Sequence, residues 1–199
     1  MAVRLGDKGF MSYGQVWPRL GHAIRGLADD EFISMAFSSY KDEWKNQTIR
    51  EGYTLLRDYF GGRGNWYPAR SKPIYVLGFW FKPSIKGIWY VDGQAYAVAI
   101  NLRKGQPLSE DDARFMARGI YELHCIDDPN DPVPLILDVS EQKPKAGRSL
   151  RPHLVQIEDT VPLATFEDSI REFLVALNVV GLSLPPPPDL DSVVDLFRR

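Results

Sequence analysis

An α/β (α+β) fold, with a mixed β-sheet that contains an antiparallel hairpin and is flanked by helices, is what this sequence predicts on three observations. The first sixty residues repeat their apolar positions with a helical period, the middle is rich in β-branched and aromatic residues broken by Asp92-Gly93, and the remainder alternates a capped helical stripe with the apolar run Pro134 to Val139. A chain of 199 residues with 44% hydrophobic content buries one sizeable core. The expected organisation is one domain over 1–181, with a helical part over 1–62 and a sheet core over 63–181, followed by a proline-rich linker and short amphipathic helix over 182–199.

The elements follow in order. Val16, Leu20, Ala23, Ile24 and Leu27 fall on one helical face. A second helix starts after Asp29 or Asp30, either of which can cap it, and buries Phe32, Ile33, Ala36 and Phe37. A third runs from about Asn46 to Phe60, stacking Ile49, Tyr53, Leu56 and Phe60, and Gly61-Gly62 stops it. Ile74 to Phe81 is apolar enough for one strand, ended by Pro83. Ile88 to Val91 and Ala95 to Leu102 flank Asp92-Gly93, a turn pair that accepts positive φ and makes a tight hairpin. Ser109 caps a helix whose buried stripe is Ala113, Met116, Ala117, Ile120 and Leu123, with Arg114 and Arg118 facing outwards towards Glu110 and Glu122. A buried strand covers Pro134 to Val139, a basic loop Gln142 to Pro152, and a further strand His153 to Ile157. Thr165 caps a helix with the face Phe166, Ile170, Phe173, Leu174 and Leu177, stopped by Gly181. Pro185 to Pro188 form a stiff spacer of about 12 Å. Beyond it Leu190, Val193, Val194 and Phe197 make an apolar stripe suited to binding a partner's groove.

A formal net charge of -2 and a pI near 5.9 give no global sign of nucleic-acid binding, so such a role must rest on local patches. The single cysteine, Cys125, leaves no intramolecular disulfide and suits a reducing compartment. With no apolar stretch long enough for a signal peptide or a membrane span, a cytoplasmic protein without a membrane partner is expected. His22, His124 and His153 have no metal-ligand spacing. His124 and Cys125 diverge by about 100° on a helix and cannot form a nucleophile-base pair. Gly61-Gly62-Arg63-Gly64 lacks the preceding strand and following Lys-Ser/Thr of a phosphate loop.

From Asn46 onwards the order helix, strand, two-stranded hairpin, helix, strand resembles the restriction-endonuclease-like PD-(D/E)xK superfamily, and the resemblance extends to Val139. It implies a nuclease-like core in which Pro83-Ser84 stands where the family has Pro-Asp, and Asn101-Leu102-Arg103 where it has acid-x-Lys. Asn101 and Arg103, two apart on a strand, are expected on one face. Mg²⁺ is bound through carboxylates, which Ser84 and Asn101 do not supply, and an always-protonated Arg103 cannot serve as a base. The site reads as degenerate, with no catalytic residue, metal or cofactor. An unrelated domain with accidental spacing is the competing reading. The alternative with Mg²⁺ uses displaced acids drawn from Glu51, Asp92 and Asp138. Glu141-Gln142-Lys143 also matches acid-x-Lys but leads into a loop.

Two basic segments are nucleic-acid candidates: Arg63, Arg70 and Lys72 beside Trp66 and Tyr67, and Lys143, Lys145, Arg148 and Arg151. Cations there would meet phosphates and the aromatics would stack on bases. The first lies in an interval, Tyr59 to Val91, that has no Asp or Glu and carries much of the chain's aromatic content. The expected function is a non-catalytic binding subunit that engages a protein partner and, through the basic segments, nucleic acid. The alternatives are a Mg²⁺-dependent nuclease with a displaced site and a purely protein-binding immunity or inhibitor module. The superfamily resemblance also implies a prokaryotic defence or mobile-element setting. Oligomeric state is left open by the sequence.

Overall fold

The computed structural model describes residues 13–69, 74–76, 79–81, 85–103, 105–143 and 146–179. Arg70, Lys72, Pro83, Ser84, Lys145, the Gly181 stop, the spacer Pro185 to Pro188, and Leu190, Val193, Val194 and Phe197 lie outside the described residues.

A single 3-10 turn, Trp17–Arg19, leads into the short helix α1 (Leu20–Ile24). Asp29 caps α2 (Asp30–Ala36) by accepting a 2.7 Å hydrogen bond from the Phe32 amide. Helix α3 (Glu43–Phe60) starts three residues before the expected Asn46, and Ile49, Tyr53, Leu56 and Phe60 are all essentially inaccessible. Gly61 ends it in the left-handed region at φ 56°, where a Cβ would be strained. The Tyr53 hydroxyl donates to the Arg19 carbonyl at 2.6 Å, tying α3 to the entry turn, and burial pushes its phenol up to about 12.

The sheet has the order β1 (Asn65–Pro68), β4 (Gly87–Val91), β5 (Gln94–Asn101), β6 (Val133–Ser140) and β7 (Ser149–Leu154), and a separate two-stranded ribbon pairs β2 (Ile74–Val76) with β3 (Phe79–Phe81). Only β5 and β6 run parallel, and α4 (Glu110–His124) makes the crossover between them; every other pairing is antiparallel. Asp92 (φ 52°) and Gly93 (φ 81°) supply the positive-φ pair that closes the β4–β5 hairpin. Both outer strands carry a proline, Pro68 and Pro152, which blunts the sheet edges against added strands.

One face of the sheet, with Trp89, Val91, Val98, Leu135, Leu137 and Val139, packs under α1, α2 and α3. An aromatic knot holds it: Phe60 meets Trp89 edge-on at 5.1 Å, Trp66 packs against Phe60, and the Trp89 indole donates to the Arg63 carbonyl at 2.9 Å. On the other face the small residues Ala97 and Ala99 let Ala113 and Ala117 of α4 approach closely, together with Ile120, Ile136 and Val155. Helix α5 (Leu163–Val179) docks onto α4 through Phe166 and Phe115, whose ring centroids are 4.8 Å apart.

Several expectations are corrected. Leu27 is 60% exposed, because α1 ends at Ile24 and the chain turns away through Gly26 at φ 70°. Ile74 to Phe81 is two strands paired antiparallel with Val76 opposite Phe79, and β1 is an additional strand among residues expected to be loop. The strand expected at His153 to Ile157 lies earlier, so Arg151 and Pro152 belong to β7 rather than to a loop. Thr165 sits inside α5 and is no cap, since the helix begins at Leu163 directly after Pro162. Phe173 is 53% exposed although its sequence period matches the buried Phe166. Arg118 is turned inward: it donates to the Val161 carbonyl at 2.8 Å and pairs with the buried Glu122 at 3.0 Å. Among the described residues, no helix is long and apolar enough to cross a membrane.

Candidate functional site

The register of the parallel pair sets the centre of the site. Asn101 at the end of β5 lies opposite Asp138 of β6, and Asp138 lies opposite Arg151 of β7, so amide, carboxylate and guanidinium stand in a row across three strands. Asp138 has no exposed surface. Its Oδ1 accepts from Asn101 Nδ2 at 2.9 Å, and its Oδ2 from the Leu108 amide, Ser140 Oγ and Gln142 Nε2, each at 3.1 Å. Arg151 approaches Oδ2 at 3.6 Å and donates to the Leu108 carbonyl. A carboxylate offers about four acceptor positions, and four donors already lie on these two oxygens. Three of these donors converge on Oδ2 and one on Oδ1, and with Arg151 they compensate the buried charge.

These contacts organise the loop between β5 and α4. Asn101 Nδ2 also donates to the Gln106 carbonyl at 2.8 Å, its Oδ1 accepts from the Arg103 amide at 3.1 Å, and Arg103 Nη1 reaches Gln106 Oε1 at 2.9 Å. Ser109 then opens α4 with a capping box, its Oγ accepting from the Asp112 amide while Asp112 Oδ2 accepts from the Ser109 amide, both at 3.0 Å. That bonding to Ser109 holds the Asp112 carboxyl below its ordinary range. Asn101, Arg103 and Asp112 line an open cavity of about 460 Å³ with Leu108, Phe115 and Met116.

The structure brings Asn101 and Arg103 to this one cavity, with Asp138 buried against Asn101, but does not bring Asp92 or Glu51 there. Asp92 closes the hairpin at the far end of β5, roughly 23 Å from Asn101 along an eight-residue strand. Glu51 is on the exposed side of α3, where Oε1 accepts from Gln47 at 3.1 Å. Of the three, only Asp138 is at the site. Among the described residues no three His, Cys, Asp or Glu side chains gather around one point.

The second basic segment is largely committed to the fold. Arg148 Nη1 donates to the carbonyls of Leu102 and Val139, both at 2.9 Å, and its Nη2 donates to the Tyr13 hydroxyl at 2.7 Å. Gly52 leaves room for that guanidinium, since a Cβ there would stand 3.2 Å from it. Arg151 is bound to the crossover loop as described, and Lys143 is exposed. In the first segment Arg63 donates to the Tyr59 carbonyl at 3.2 Å, Trp66 is half-buried in the aromatic knot, and Tyr67 is 59% exposed.

Gln142 and Ser140 were not singled out by the sequence reading. Their signal was available in part: Asp138 and Ser140 are two apart on a strand and share a face. Cys125 is buried, and burial together with the charges of Asp128 and Asp131 pushes its thiol up to about 12, which makes it an unreactive core residue. His153 is held below its ordinary value, first by burial and then by Arg151, with Asp138 and Glu110 pulling the other way.

Comparison of the chain with models of known families, with curated proteins and with solved structures finds no match.

Replacing Asp138 by alanine strands buried donors from three segments and is expected to cost about 3–5 kcal/mol in urea unfolding, whereas Glu51→Ala stays within about 0.5 kcal/mol. Equal midpoints for the two variants would show that the row is not a structural centre. For His153 the sign follows from its depressed folded-state value: above the ordinary pKa of about 6.5 both states are neutral, and below it the unfolded chain takes up the proton first. Stability is therefore expected to fall as the pH drops from 6.5, and less so in His153→Gln. An unchanged pH profile in that variant would remove His153 from the account.

Proposed function

We propose that this chain is a non-catalytic binding domain, nuclease-like in layout, in which the position of the superfamily's metal site serves as a structural lock. One observation carries the reading: at the C-terminal ends of β5 and β6, the fully buried carboxylate of Asp138 is met by four internal donors and its strand neighbour is the neutral Asn101. Hard divalent cations are held by accessible carboxylate oxygens from one or more acids, and here the single acid at the strand ends is out of contact with solvent. The strand expected first in that order, Ile74 to Phe81, forms instead the separate β2–β3 ribbon, while the β4–β5 hairpin, α4 and β6, with β5 and β6 parallel, keep the remainder of the order that the PD-(D/E)xK resemblance implies and support the layout.

A protein is the favoured partner. Nucleic-acid binding draws on cations free to meet phosphates, and Arg148 and Arg151 spend theirs on internal carbonyls. An immunity or inhibitor module is one form such a domain takes, and cytoplasmic residence belongs to the same reading. Incubation of the purified chain with single- and double-stranded DNA and RNA, in Mg²⁺ or Mn²⁺ and with chelator, is expected to leave every substrate intact. Cleavage abolished by chelator and by Glu51→Ala or Asp92→Ala would overturn the reading in favour of a displaced metal site.

A further inference from the structure

The two faces of the sheet are covered unequally. Three helices cover one face, but on the other α4 packs against β5 and β6 and reaches Ile88 of β4, while Tyr67 of β1 and Tyr90 of β4 keep much of their surface in water. The residues there are Tyr67, Ile88 and Tyr90. Tyr67 faces Ile88 and Asn65 faces Tyr90 across the ladder, so the two tyrosines are diagonal neighbours on the same face, within reach of one ligand. They are 59% and 40% exposed, well above what partial burial of a sheet face requires. Ala95, opposite Tyr90, is too small to fill the space beside it. The result is a depression of about 400 Å³ lined by Tyr67, Ile88, Tyr90, Ala95 and Asn130.

Its rim is acidic. Asn130 donates from both its amide and its side chain to Asp128 Oδ1, each at 2.9 Å, which holds that carboxylate beside the depression. The Asp131 carbonyl accepts from Gln94 at 3.4 Å, bringing the Asp131 loop to the same end of the sheet as the Asp92 turn. Among the described residues the lining contains no cation, and Arg63, at the same end, directs its guanidinium to the Tyr59 carbonyl. Two exposed phenol rings beside the Asp128 carboxylate complement a positive charge with an apolar stem, because a guanidinium or ammonium gains from the ring face and from the negative charge together.

We propose that this depression is the docking site for an arginine or lysine side chain of a protein partner, the cation lying against Tyr67 and Tyr90 and facing the carboxylate of Asp128. The inference rests on the binding-domain reading and names the partner's chemistry. Bases could stack on the same tyrosines, but the Asp128 carboxylate would repel their phosphates, which favours a basic protein segment over nucleic acid.

The test is an amide and tyrosine-side-chain NMR titration of the full chain with the capped peptide Gly-Arg-Gly-Arg-Gly, with the Glu-for-Arg peptide and a ten-residue oligo-dT as controls. Selective shifts at Tyr67, Tyr90 and Asn130 are expected with the arginine peptide, weakened by salt and reduced by about tenfold or more in affinity in Tyr90→Ala. Tyr67→Ala serves as the second variant, and unchanged thermal melting of both establishes that the fold persists. Absence of those shifts up to about 10 mM peptide, equal binding of the glutamate peptide, or tighter binding of oligo-dT at the same residues overturns the proposal. Each of these failures leaves the cleavage assay untouched, so loss of this site and loss of the non-catalytic reading are separate outcomes.

Discussion

A carboxylate removed from water has to be matched by donors, and in this fold the match for Asp138 comes from every segment that meets at one end of the sheet. Asn101 supplies the end of β5, Leu108 the crossover loop, Ser140 and Gln142 the exit from β6, and Arg151 the outermost strand. The parallel β5–β6 pair needs a long connection, and that connection must leave the sheet, turn and enter α4. Asp138 fixes where it turns, and the capping box at Ser109, three residues after Gln106, fixes where α4 begins. Close packing of Ala113 and Ala117 on Ala97 and Ala99 depends on both.

The same constraint ties down the polar groups beside the crevice at this end of the sheet. At the ends of parallel strands a fold offers a crevice in which ligands commonly bind. Here the charge that would attract a cation is buried beneath Asn101, Arg103 is tied to Gln106, and Asp112 is tied to Ser109. Away from the crevice, over β1 and β4, the rings of Tyr67 and Tyr90 remain exposed to water.

What the sequence made legible was local. The Asp92-Gly93 turn, the Asp29 and Ser109 caps and the stripe of α3 each depend on residues within a few positions of one another, so composition and period suffice. The errors have tertiary causes. Strand β1 is four residues long and mostly exposed, which leaves no alternation to read. Phe173 keeps the period of Phe166, yet burial depends on where α5 meets α4 and not on period. For the site, the sequence located Asn101, Arg103 and Asp138 but not their roles. Arg148 looked like part of a solvated basic loop, and its hydroxyl partner, Tyr13, is 135 residues away. Partners at such separation leave no trace in spacing.

The central claim is that Asp138 is a lock and not a ligand. It is tested most directly by titrating the ¹⁵N-labelled chain with Mn²⁺ while following the side-chain amides of Asn101 and Gln142 and the backbone amides of Leu108 and Ser140. The account predicts that these signals keep their intensity while Mn²⁺ is raised into the millimolar range. Saturable broadening confined to these four residues and relieved by Mg²⁺ would contradict it.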